Sequence, residues 1–332
     1  MAIAPSLQIF QHRAYLQFWL MRVSVASARQ MQFVAIGWQV YDLARDPIET
    51  GGMGLSINEA AFMLGLVGLV QFIPVLLLSL VGGQAADRLN RKMILVISNL
   101  FRLVGTVGLL FTLSLPASDA LPLIFCVAAL LGVVNAFTPA AASALYPQLV
   151  PRSELPIAIA FNSLGFQTAK IVGPAFGGLL LAAGGLNLVY SVAFGLITFA
   201  ILAIATAKTP AHQKLDNARG FEMIFEGLRY IGRNKIVLGA ISLDLFVVFF
   251  GGLVALLPVF ARDILQVGEA GLGFLAAAPA IGALTVAFLL ARKPLTRRVG
   301  PSMFWAVGSF GAATLGFGLS SVFWLSFVAL IF

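Results

Sequence analysis

Long apolar stretches follow one another so closely along this chain that little sequence is left over to build a water-soluble surface. Runs of about 20 apolar residues, the length that crosses a hydrocarbon core, lie near 15–42, 61–82, 93–115, 120–146, 156–182, 186–206, 236–260, 270–291 and 302–319. A tenth begins near Val322. Only 10% of the 332 residues are charged, against about a quarter in soluble domains. The expectation is an all-α integral membrane protein with about nine full transmembrane helices and a partial tenth. Lipid admits only helices and closed barrels, and these continuous runs lack the alternation of a barrel strand.

The net charge of +8 is distributed so that it orients the chain. With the N-terminus placed in the cytoplasm, the inside loops carry Arg13, Arg88, Arg91, Lys92, Arg152, Lys208, Lys214, Arg219, Arg229, Arg233, Lys235, Arg292, Lys293, Arg297 and Arg298. The outside loops carry only Arg45 and Arg262, beside several acids. That asymmetry is the positive-inside pattern, so the basic charge argues for a multi-pass protein of the inner (plasma) membrane and against a nucleic-acid partner. Cys126 is the sole cysteine, which leaves no disulfide within the chain. The first apolar run is too long for a cleavable signal and carries Arg22 and Arg29. No P-loop, H-E-x-x-H or G-x-S-x-G motif occurs, so neither an enzyme nor a cofactor or metal is expected.

Six runs end near Thr206, and a polar, charged stretch follows. The predicted organisation is an N-terminal six-helix bundle over 1–207, a cytoplasmic connector over 208–235 and an incomplete C-terminal bundle over 236–332. Charged and apolar residues alternate at helical spacing from Phe221 to Tyr230, as in a helix on the membrane surface. The residues from Val322 to Phe332 would reach about 16 Å as a helix, roughly half a hydrocarbon core. The chain is therefore expected to lack the rest of a tenth helix and two further ones.

The most distinctive polar run is Gly83-Gln84-Ala85-Ala86-Asp87-Arg88-Leu89-Asn90-Arg91-Lys92, read as a tight loop between the second and third spans. The pattern G-x-x-A-D-R-x-x-R-K resembles the signature loop of the major facilitator superfamily, with Asn90 in place of a second glycine. Phe18-Trp19-Leu20-Met21-Arg22-Val23-Ser24 and Met31 to Leu43 resemble the start of the branch that includes enterobactin exporters and macrolide efflux proteins. Phe137-Thr138-Pro139-Ala140 with Tyr146 to Pro151 is similar to that branch's junction between helices 4 and 5. Gly173-Pro174-Ala175-Phe176-Gly177-Gly178 is similar to the core of an exporter-associated helix 5 motif, although Ala160 and Ala169 replace its upstream glycines. Arg292 to Gly300 occupies the corresponding loop of the second half and keeps only the basic cluster.

The resemblance implies two helical bundles that rock about a central cavity. It implies that Gly83, Asp87, Arg88 and Arg91 form a conformational-switch loop, with Asp87 gripping a helix end of the other bundle. It also implies that Gly173, Pro174, Gly177 and Gly178 form a sliding contact. The residues themselves leave plainer alternatives open: positive-inside charge for the loop, Lys92 above all, and ordinary small-residue packing for the glycines.

Charges inside a span cost about 2.5–3.5 kcal/mol each on insertion scales, so they are expected to face a cavity or a partner. Arg22, Arg29, Gln32, Asn135, Asn162, Lys170 and Asp244 are the candidate substrate and proton cavity; Arg22 could instead snorkel to the interface. Gln39 and Gln167 could join the cavity or tie helices together. Arg102 is placed near an inner end and expected to snorkel. Asp244 is read as a proton site, a counter-ion to Arg29 or Lys170, or a helix-end acid. The function expected is a secondary exporter of a small amphipathic or anionic molecule, with the proton as coupling ion, working in the bilayer, and monomeric when full-length. An importer, or a non-transporting receptor on the same fold, is the alternative.

Overall fold

The computed structural model describes residues 5–45, 52–209, 229–292 and 299–332. No strand occurs among the described residues. After a short 3-10 turn at Pro5–Gln11, the helices are α1 (Arg13–Arg45), α2 (Ile57–Arg88), α3 (Arg91–Thr112), α4 (Ala117–Leu145), α5 (Leu155–Thr206), α6 (Lys235–Phe250), α7 (Gly268–Arg292), α8 (Val299–Gly318) and α9 (Phe323–Ile331). Most of the predicted connector lies outside the described residues, as do Lys293 to Arg298 in the later basic loop.

The 52 residues of α5 would extend about 78 Å as one straight helix, far beyond a hydrocarbon core of about 30 Å. Two glycines divide them. Gly185 sits at φ 67°, ψ −169°, a region essentially reserved for glycine. The break makes two arms from the predicted runs 156–182 and 186–206, and the chain doubles back. Both far ends of α5 return to the start of α1: Tyr15 donates to the Ala158 carbonyl at 2.9 Å, and Gln17 to Thr206 Oγ1 at 3.0 Å.

α3 is amphipathic inside out. Ile97, Leu100, Phe101, Val104, Val107 and Phe111 are exposed, while Ser98, Asn99, Arg102, Thr106 and Thr112 are buried. Water would reverse that arrangement; lipid favours it. α2 is likewise mostly apolar and exposed, with Phe62, Leu69, Phe72, Leu76 and Leu77 on its surface. Both helices, together with α4, α5 and α7, are long and apolar enough to cross a membrane. α1 is not among them, because Arg29, Gln30, Gln32 and Gln39 interrupt it; instead it is packed between α2 and both arms of α5.

Two expectations are corrected. The supposed loop at 83–92 is mostly helix: α2 runs through Arg88, and only Leu89 and Asn90 separate it from α3. Asn90 explains the sharp restart. Its side chain accepts from the backbone N–H groups of Lys92 and Met93, capping α3 where a glycine would leave those donors bare. The apolar run at 236–260 is also not one helix. α6 stops at Phe250, and a 3-10 stretch (Gly251–Leu256), one helical turn (Leu257–Val259) and a π turn (Phe260–Ile264) follow.

Candidate functional site

Two adjoining cavities lie against α1. The larger, about 240 Å³, is bounded by α1, α2, α3 and α4 on one side and by Val254, Pro258, Leu272 and Ala276 on the other. The smaller, about 140 Å³, lies between α1, α4 and the first arm of α5. Arg29, Gln30, Arg102 and Asn135 line both, so these four residues form the neck between them. Of the predicted cavity residues, Arg22, Arg29, Gln32, Asn135 and Lys170 are brought together here.

Arg102 was expected to snorkel; it is buried instead, at 1% exposure. Its Nη2 donates to Asn135 Oδ1 at 3.0 Å, and its Nε has no partner. Gln32 is fixed by donation to Thr106 Oγ1 at 2.8 Å, one turn further along α3. In the smaller cavity the Phe166 ring lies 4.9 Å from Lys170 Nζ and 5.7 Å from the Arg22 guanidinium, so one ring serves two cations. Among the described residues no carboxylate lines either cavity. A site with four cations and no described acid is electrostatically suited to a negatively charged guest.

Other candidates lie elsewhere. Asn162 lines neither cavity, and its Oδ1 is buried without a partner. Gln39 is a tie between helices: it donates to Thr112 at 2.8 Å and accepts from Tyr190 at 2.7 Å. Asp244 belongs to α6, but its side chain lies outside the described residues. Gly173 and Gly177 face α1, where added Cβ atoms would meet Gln30 Cβ at 2.6 Å and Met31 Cα at 3.0 Å. Gly178 faces α7. All three, with Pro174, are buried, and α5 continues through the proline.

At the Gly83 end, Asp87 is exposed and takes no hydrogen bond or ion pair among the described residues. Arg91 ties α3 to neighbouring carbonyls, donating to Ala86 at 3.1 Å and to Ala144 at 3.4 Å. Lys92, for which positive-inside charge was the plainer reading, donates to the carbonyls of Ala205 and Ala207 at 2.7 Å each and so caps the second arm of α5.

The opposite end holds a cluster that sequence reasoning passed over. Asp42 pairs with Arg262, Tyr41 donates to Asp263, and Arg45 reaches Asp263 at 3.3 Å. Arg262 also lies 5.9 Å from the Trp38 ring. These ties join α1 to the π turn after α6 at this end of the bundle. The available signal was that Arg45 and Arg262 are the two basic residues in otherwise acidic loops.

Membrane-length helices packed around cation-lined cavities fit a transporter of the major facilitator superfamily. Within it the chain belongs to the transmembrane secretion effector family, whose profile matches residues 4–332. Curated relatives include the enterobactin exporter EntS of Escherichia coli O1:K1, 28% identical over 292 residues, covering 86% of this chain and 67% of that protein. EntS of Shigella boydii serotype 18 is 29% identical over 291 residues, with the same coverage. Among solved structures, a D-xylose-proton symporter superposes with TM-score 0.66 at 12% identity, covering 96% of this chain and 78% of that one. A bacterial homologue of the human lysosomal transporter Spinster, inward-facing and occupied, gives 0.66 at 20% identity, covering 99% and 72%. At such identities the structural likeness speaks for the fold.

Proposed function

We propose that the chain is a secondary exporter of a small amphipathic organic anion. The observation that carries this reading is the cation set Arg22, Arg29, Arg102 and Lys170 around two joined cavities, with no carboxylate among the described lining residues. The export direction is supported by the relatives whose name is enterobactin exporter. In this reading residues 1–207 and 236–332 are the two moving bodies, 208–235 connects them, and the N-terminus is cytoplasmic. The Asp42–Arg262 end then faces outward and is shut, so the cavity loads from the cytoplasm. Gly83, Asp87, Arg88 and Arg91 are proposed to engage the other body once the carrier has turned over. Gly173, Pro174, Gly177 and Gly178 supply the close, side-chain-free contact that lets the bodies rock. Proton coupling rests on Asp244 alone.

The test is efflux from proteoliposomes loaded with catecholate or carboxylate siderophores and, for contrast, with a lipophilic cation. Saturable efflux of the anions that Arg29→Gln reduces at least about tenfold is the expected result, one uncompensated cavity charge being worth 1.4 kcal/mol or more. Preferred efflux of the cation would overturn the reading. Asp244→Asn with unchanged response to a pH gradient would remove the proton role.

A further inference from the structure

We propose that the carrier selects a single-headed amphiphile, whose anionic group is held beside Arg22 and Lys170 and whose apolar tail runs through the larger cavity into a third one behind Val254. The proposal deepens the exporter reading and rests on it. Its starting point is how charge is distributed over three cavities. The smaller cavity carries Arg22, Arg29, Arg102 and Lys170 in its wall. The larger carries only the two cations it shares at the neck, Arg29 and Arg102, and past the neck its described wall is uncharged. A third cavity, about 80 Å³, is bounded by Leu253, Phe310, Ala313, Phe317 and Leu330 among others. Thr314 is the one polar side chain in its described wall, which holds no charge. Val254 lines both this cavity and the larger one, and so stands between them.

Each end of this series rejects what the other accepts. A charged head behind Val254 would lose its water and gain no partner. A hydrocarbon tail in the smaller cavity would strip water from Arg22 and Lys170 without replacing it. An apolar cavity stays dry and takes hydrocarbon instead. The third cavity is roughly five times the ~15 Å³ that one water needs, which leaves room for the end of a tail.

The order of the seats follows α1. The smaller cavity meets that helix between Met21 and Gln30, and the larger between Arg29 and Gly37. With the N-terminus in the cytoplasm the head sits on the inner side, and the guest leaves tail first. A molecule charged at both ends, or one without a tail, satisfies one seat and fails the other. Val254 and Ala313 are then specificity residues for the tail, as Arg22 and Lys170 are for the head.

The whole chain in nanodiscs is dialysed against alkanesulfonates of graded length, from ethanesulfonate to decanesulfonate, with empty nanodiscs measuring the share taken up by lipid. Affinity should rise about fourfold per added methylene, the gain from removing each one from water, and level off once the tail fills the third cavity. A disulfonate charged at both ends should bind about a hundredfold more weakly than the monosulfonate of equal length. Arg22→Gln and Lys170→Gln should weaken every member by a similar factor of about ten and leave the dependence on length unchanged. Val254→Asn puts an amide at the partition, and Ala313→Leu fills the third cavity. Both should spare the shortest sulfonate and cut the gain at the long end, and either serves where the other does not fold. Three results would overturn the tail site while leaving the exporter reading intact: binding that does not vary with length, a disulfonate bound as tightly as its monosulfonate, or a length series unchanged in both tail variants. No binding of any sulfonate to correctly folded protein would sink both.

Discussion

Gly178 and Gly273 meet backbone to backbone where the first arm of α5 crosses α7. A Cβ on Gly178 would lie 2.6 Å from the Cα of Gly273, and one on Gly273 would lie 2.8 Å from the Cα of Gly178. The Glu269 and Pro174 carbonyls crowd the same point, each within 2.7 Å of an added methyl. With only backbone on the facing side, no rotamer change can make room.

Alanine at either position should therefore force the two helices apart, at a cost of about 1–3 kcal/mol. The expected result is a lower melting temperature in detergent for Gly178→Ala and Gly273→Ala, with flux lost. Gly83 supplies the contrast: an added Cβ there meets nothing within 4 Å, and the residue lies in helix. Gly83→Ala should melt no lower than the parent and could gain about 0.5–1 kcal/mol. A flux defect in that variant would locate the requirement for Gly83 in another conformation.

The fold-back of α5 depends on a single backbone geometry. Gly185→Ala places a side chain at φ 67°, ψ −169°, which should cost about 1–3 kcal/mol. Thermal melts monitored by tryptophan fluorescence would show the shift. A melting temperature equal to the parent's would mean the turn is made differently.

Opening of the Asp42–Arg262 end should be measurable by thiol labelling. In a Cys126→Ser background, Phe33→Cys places a reactive group in the wall of the larger cavity. Partly exposed ion pairs such as Arg45–Asp263 are worth about 0.2–1 kcal/mol each. Arg262→Gln should accordingly raise the rate of labelling by an impermeant reagent from that side, by up to about fivefold. The exchange of charges in Asp42→Arg with Arg262→Asp should bring the rate back towards the parent value.

Lys92→Met should leave the last carbonyls of α5 without their donor. Two charge-assisted bonds are lost, yet the site is half open to solvent, so the expected loss is about 1 kcal/mol, read as a lower melting temperature. An unchanged melt would return Lys92 to the role of an orientation charge.

Much of this architecture was legible in the sequence, because lipid makes length and apolarity nearly sufficient to find a span. The two arms of α5 could be separated for that reason, and the glycines at 184 and 185 mark the place. The run at 15–42 reads as a span, but hydropathy does not say how α1 tolerates Arg29, Gln30 and Gln32, which the finished bundle surrounds. Position along a span also misjudged Arg102. Its height in the membrane suggested an escape to the interface, but its side of α3 faces the cavity, and helix rotation is not written in a hydropathy profile. The ties of Asp42 and Tyr41 to Arg262 and Asp263 join residues more than two hundred positions apart. No local pattern announces such a contact; only the meeting of two arginines with acids on a side otherwise poor in base hints at it.

The polarity of α1 bears on how the chain is made. This helix leaves the ribosome and reaches the translocon before the helices that later surround it. Arg22 and Arg29 would each cost about 2.5–3.5 kcal/mol at mid-membrane, which discourages early release into lipid. α1 should therefore be held back, at the channel or the interface, until α3, α4 and the doubled α5 arrive to cover its polar side. For this helix, insertion and assembly are one event, and a lesion in α5 becomes a lesion in the topology of the N-terminus.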